Sequence, residues 1–134
     1  MSSISKKKRP LSPHLQVYKP QLTSMMSIFH RVTGFALAIG CFWVTWWLFA
    51  AASGADHFKA FHAFAHGWVG RLLLFGWTFS LVYHLLNGMR HLIWDAGSNL
   101  DLDGAYRTGR TVIIGSIIIT LFLWARAYGI VLFK

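Results

Sequence analysis

From Val32 to Ala55 the chain runs without a single Asp, Glu, Lys or Arg. That run exceeds the roughly 20 residues a helix needs to cross the hydrocarbon core of a bilayer. A single segment satisfies all its backbone hydrogen bonds in lipid only as a helix. A second charge-free run extends from Leu72 to Met89, and a third apolar stretch from about Thr111 to Phe133 is interrupted only by Arg126. Charged residues make up 13% of the chain against 55% hydrophobic, and they gather outside the three stretches, as they do when a bilayer core excludes charge. The expected fold is all-α: a single membrane domain over residues 1–134, with transmembrane helices at about 23–53, 68–94 and 111–133. An N-terminal surface arm, 1–22, precedes them, broken by Pro10, Pro13 and Pro20. Thr23 and Ser24 are suited to cap the first helix.

The connections read as follows. Residues 54–70 form a short link with room for a surface helical turn. His62 and His66 lie four apart there, a spacing that can bind a metal but that here reads, with His57, as a solvated interfacial face. Asp95 to Gly109 is rich in turn formers and holds three of the four acidic residues, so it reads as an aqueous loop. Asp101 and Asp103 resemble a fragment of a calcium loop that lacks its remaining ligands. Arg126, between Trp124 and Tyr128, is placed to snorkel to the interface, and the lone Cys41 reads as packing.

Orientation follows from the 13 Lys and Arg: nine lie in the arm with Arg31 and in the loop from Arg90 to Arg110, four in the first loop and at the C-terminus. The N-terminus is therefore expected inside, in the cytoplasm or matrix. The net charge of +9 is better matched by anionic lipid head groups, cofactor carboxylates and a membrane-surface partner than by nucleic acid, since no basic stripe sits on a soluble module. The N-terminus lacks the short apolar core and small-residue cleavage site of a secretory signal and the Arg-rich leader of an organellar protein. The expected location is the bacterial inner membrane, in preference to the mitochondrial one.

One apolar segment carries polar groups where a membrane helix normally carries none. In LVYHLLNGMRHLIWD, residues 81–95, His84, Gly88, His91 and Asp95 fall on one helical face. A flat, bulky ligand can approach the backbone at Gly88 while His84 offers a ring nitrogen, which makes a site for a haem. A lone His in a membrane helix is also commonly a hydrogen-bonded residue that joins helices, so the stripe alone leaves both readings open. With the N-terminus inside, Arg31 and the Arg90-His91 pair meet at one depth. Arg31, His30, Arg90 and His91 suit haem propionates, and Ser27 and Arg31 share a face of the first helix where a quinone carbonyl would find donors. Arg31 alone would also serve as a simple head-group anchor. One well-placed His leaves a haem iron short of its second axial ligand, so a partner membrane chain is implied.

The segments RPLSPHLQVYKP (9–20), SIFHRVTG (27–34) and HLLNGMRHLIWDAG (84–97), followed by one more membrane helix, resemble the cytochrome b large membrane-anchor subunits of succinate dehydrogenase, respiratory complex II. The resemblance spans nearly the whole chain. It implies a haem b shared with a small membrane-anchor subunit that supplies the second axial ligand, His84 matching the family's ligand position. It places Ser27 and Arg31 at the ubiquinone site near the iron-sulfur subunit, with Arg31, His30 and His91 close to the propionates. It also implies a flavoprotein subunit that oxidises succinate and passes electrons through iron-sulfur clusters to ubiquinone. This chain would be a non-flavin subunit of that oxidoreductase, with no catalytic residues of its own. His30 and Asp95 are candidates for the proton path to the quinone. A purely structural anchor without haem, and a small transporter subunit with His84 and Arg90 on a proton path, are the competing readings.

Overall fold

A computed structural model describes residues 19–129. Four helices follow one another: α1 (Leu22–Ser53), α2 (Ala55–His66), α3 (Trp68–Asp95) and α4 (Leu102–Ala127). Helices α1, α3 and α4 are each long and apolar enough to cross a membrane, and no strand occurs among the described residues. The protein is an all-α integral membrane protein. Most of the expected surface arm, and the chain beyond Gly129, lie outside the described residues.

Three boundaries differ from the sequence expectation, each for a local reason. Helix α1 begins at Leu22 with Gln21 at the capping position, so Thr23 and Ser24 are already inside the first turn. Between the first two spans there is a helix of 12 residues where a single turn was expected. Its apolar residues recur at helical spacing: Phe61 and Ala65 are buried against Ala50, with Trp43 and Leu74 packed around them. His57, Lys59, His62 and His66 stay exposed on this helix. The chain reverses into α2 at Gly54, whose φ of 109° is open to glycine and strained for other residues. Helix α4 starts at Leu102, well before Thr111, because Asp101 is its N-cap: the carboxylate accepts the Gly104 N–H at 2.9 Å. Asp103 in the first turn adds a favourable charge at the positive end of the helix dipole. The acidic pair that resembled a calcium-loop fragment is thus a helix start.

Very little of the molecule is buried, and large apolar side chains such as Phe35, Phe42, Ile118 and Leu121 face outward, as expected when the solvent is lipid. Where the helices meet, small residues set the approach. The Trp77 indole occupies the space that a side chain at Gly40 would need, which locks α1 against α3. A Cβ at Gly109 of α4 would stand 2.8 Å from Met26 Sδ, so the glycine lets α4 close on α1. Met26, Tyr83 and Val112 form the buried cluster at that end of the bundle.

Candidate functional site

The site lies between α1 and α3 at the end of the bundle where α4 begins. His84 on α3 rests on α1: a Cβ at Gly34 would stand 3.0 Å from its Cε1. Its Nδ1 is 3.1 Å from the His30 carbonyl and 3.3 Å from the Thr33 hydroxyl. A carbonyl only accepts, so the Nδ1–H must be the donor and the ring's lone pair is left on Nε2. Thr33, which is buried, is held in place by donating to the carbonyls of Phe29 (2.8 Å) and His30 (3.0 Å). An imidazole with one nitrogen anchored to a backbone carbonyl and the other free has the electronic form of a metal ligand.

The His30 ring stacks on His84, centroids 3.9 Å apart and nearly parallel, and His91 stands 5.4 Å from His30. His30 Nδ1 is buried without a hydrogen-bond partner. One turn from His84, a Cβ placed at Gly88 would meet no atom within 4 Å. Among the described residues no contact calls for glycine there, so this face of α3 is open beside the imidazole.

A cleft of about 480 Å³ opens alongside, lined by Ser27 and Arg31 of α1 and by Asn87, Arg90 and His91 of α3. Ser27 and Arg31 are exposed, and neither side chain appears in a hydrogen bond among the described residues, so both have donors to offer. Arg90 is different. It is buried, and it donates from Nε to Thr108 Oγ1 at 3.0 Å, from Nη2 to the Ala105 carbonyl at 2.8 Å and from Nη1 to Asn87 Oδ1 at 3.4 Å. Its guanidinium also covers the Trp94 ring at 3.9 Å. Arg90 therefore clamps α3 to the first turns of α4, and Arg31 is the guanidinium of the cleft that makes no hydrogen bond among the described residues. Asp95 is exposed at the end of α3, apart from this cluster.

Three contributors escaped the sequence reading: Thr33, which positions His84, Asn87, which is fully buried with Nδ2 unpartnered, and Tyr83, whose hydroxyl donates to the Met26 carbonyl at 3.2 Å. The signal for Asn87 was present, since a buried amide three residues before an Arg in an apolar run needs a partner. No signal marked Thr33, whose partner lies on another helix.

Among the described residues no group of three or more His, Cys, Asp or Glu is arranged to hold a bare metal ion. What the fold defines is a multi-span membrane protein with a single anchored imidazole beside a cleft that two arginines line. A family model described as "Succinate dehydrogenase/Fumarate reductase transmembrane subunit" matches residues 5–123. The chain is 40% identical to the succinate dehydrogenase cytochrome b556 subunit of Paracoccus denitrificans, over 90% of this chain and 93% of that one. It is 38% identical to the cytochrome b556 subunit of Rickettsia prowazekii, over 87% and 91%. To the cytochrome b560 subunit of Reclinomonas americana it is 36% identical, over 87% and 84%. The chain belongs to the succinate dehydrogenase/fumarate reductase transmembrane subunit family.

Proposed function

We propose that this chain is the cytochrome b membrane anchor of a succinate dehydrogenase, with His84 as one axial ligand of a haem b and Ser27 and Arg31 in its ubiquinone site. The observation that carries the reading is the bond from His84 Nδ1 to the His30 carbonyl, which leaves Nε2 as the free donor atom. The open face at Gly88 suits the approach of a flat macrocycle. When bound, the haem supplies a one-electron relay inside the bilayer.

The chain's own residues do the rest. Thr33 and the His30 carbonyl hold the His84 ring in one orientation and tautomer. Arg31 offers charge, and His30 and His91 offer N–H donors, to two propionates that would otherwise enter hydrocarbon unpaired. Arg90 keeps the cleft in shape by fixing α3 to α4. Ser27 Oγ–H and the Arg31 guanidinium donate to a quinone carbonyl oxygen, and His30 relays protons towards it. Asp95 is an aqueous-side group at the far end of that route. A small anchor subunit would supply the second axial ligand, and the iron-sulfur and flavoprotein subunits the electrons from succinate. The charge distribution supports an N-terminus on the inner side of the membrane, which in a bacterial inner membrane is the cytoplasm.

The test is a reduced-minus-oxidised visible spectrum of the detergent-purified complex, native against His84→Ala. A low-spin b-type signal that is lost or shifted in the variant supports the ligand assignment. A signal untouched by the substitution rejects it and leaves His84 as a residue that joins α1 to α3. Ser27→Ala is expected to raise the KM for ubiquinone with the haem spectrum unchanged, whereas Arg31→Gln should raise the KM and also perturb the haem, because Arg31 serves both.

A further inference from the structure

At the opposite end of the bundle, where α2 packs, a second cleft of about 380 Å³ lies between three helices, with His66 of α2, Arg71 and Leu74 of α3, and Trp124, Ala127 and Tyr128 at the end of α4 around it. None of the residues of the candidate functional site takes part in it. Its polar and apolar halves are segregated. Arg71 directly precedes the charge-free run that starts at Leu72, so its guanidinium stands at the hydrocarbon boundary. Trp124 and Tyr128, rings 5.7 Å apart, mark the same interfacial level. Leu74 and Thr78 of α3 and Leu123 of α4, further along their helices from Arg71 and Tyr128, line the rest of it.

Arg71 is an unexpected residue for its position. It sits in the first turn of α3, where the helix dipole is positive and a cation is disfavoured, and that turn contains no acidic residue. The guanidinium lies 5.5 Å from the centre of the Tyr128 ring, which orients it over the cleft's aromatic side. Among the described residues the one ion pair joins Lys59 to Asp56, so Arg71 has no carboxylate partner there. No acidic residue lines the cleft either. A cation held against the dipole, at head-group depth, above an apolar slot between helices, is complementary to one class of molecule: an amphiphile with a phosphate head and an acyl chain.

We propose that this cleft binds an anionic phospholipid, its phosphate held by Arg71 with His66 at the rim and an acyl chain lying against Leu74 and Trp124. The volume falls within the range of ligand-sized pockets. The proposal does not depend on the haem or quinone assignments.

The assembled complex, stripped of loosely held lipid in mild detergent, is titrated with phosphatidylglycerol or phosphatidylcholine, and bound lipid is counted by native mass spectrometry. The native complex is expected to hold phosphatidylglycerol about tenfold more tightly than phosphatidylcholine. Arg71→Gln is expected to abolish that preference. Ala127→Trp, which fills the slot and keeps the cation, should lower retention of both lipids. Equal binding of the two lipids by the native complex overturns the proposal, and that comparison needs no variant. Phosphatidylglycerol binding unaltered in both variants also overturns it. So does a loss of subunit assembly in Arg71→Gln with an unchanged lipid count, because the cleft would then hold an acidic side chain of a partner.

Discussion

The two ends of this bundle are built on different principles. At the end where α4 begins, the helices are joined by directional polar contacts: Arg90 to Thr108 and Ala105, Tyr83 to Met26, His84 to His30. At the α2 end they are joined by shape, with Phe61 set edge-on against Trp46 at 5.0 Å and Ala50 and Ala65 letting the helices approach. In lipid, apolar surface gains nothing by leaving the solvent, so close packing and hydrogen bonds must hold the helices together. Packing alone suffices at the α2 end. The other end carries polar groups in excess of what packing needs, and it is also where buried His30 Nδ1 and Asn87 Nδ2 remain unpartnered. Two such atoms fall near the proposed site, whereas Trp77 Nε1 and Thr120 Oγ1 are the others among the described residues.

The contrast can be broken or sharpened by substitution, read as thermal unfolding of the detergent-solubilised complex. The largest effect is expected from Gly40→Leu, which forces a side chain into the space of the Trp77 indole and separates α1 from α3. A loss of about 3 kcal/mol is expected, at the upper end for overpacking. A tolerated leucine would show that the interlock is slack. Arg90→Met keeps the stem and removes the donors to α4, with an expected loss of about 2 kcal/mol from charged hydrogen bonds. If methionine matched the native protein, the polar end would be held by packing after all.

Smaller changes resolve the comparison further. Asp101→Ala removes the cap of α4 and is expected to lower stability by about 1 kcal/mol, while Asp101→Asn should retain most of it. Thr33→Val conserves shape and deletes the hydroxyl beside His84, at about 1 kcal/mol or less. Its diagnostic effect is on the visible spectrum of the complex, which should shift if Thr33 orients an iron-bound imidazole and stay fixed if it does not. Lys59→Ala breaks an ion pair whose side chains are almost fully exposed, and no measurable change is expected.

How much of this could be read from the chain differs by scale. The three spans, the polar stripe from His84 to Asp95 and the cationic position of Arg31 are legible because hydrocarbon excludes charge whatever the packing, so each exception stands out along the sequence. Helix α2 and the start of α4 were less legible. The first is a short helix in a connection between spans, and the second begins inside a stretch of turn-forming residues that capping by Asp101 converts into helix. The amino-acid order alone specifies a membrane-spanning all-α protein whose unusual polar residues gather towards one end of the spans. Only the packing of the helices fixes that Arg90, while lining the cleft, gives donors to α4, and that His84 gives its Nδ1–H to a carbonyl on another helix. The reason is physical: hydropathy is a property of a segment, whereas a hydrogen bond between His84 and His30 exists only once two helices, more than fifty residues apart in the chain, have crossed at the glycine that admits the ring.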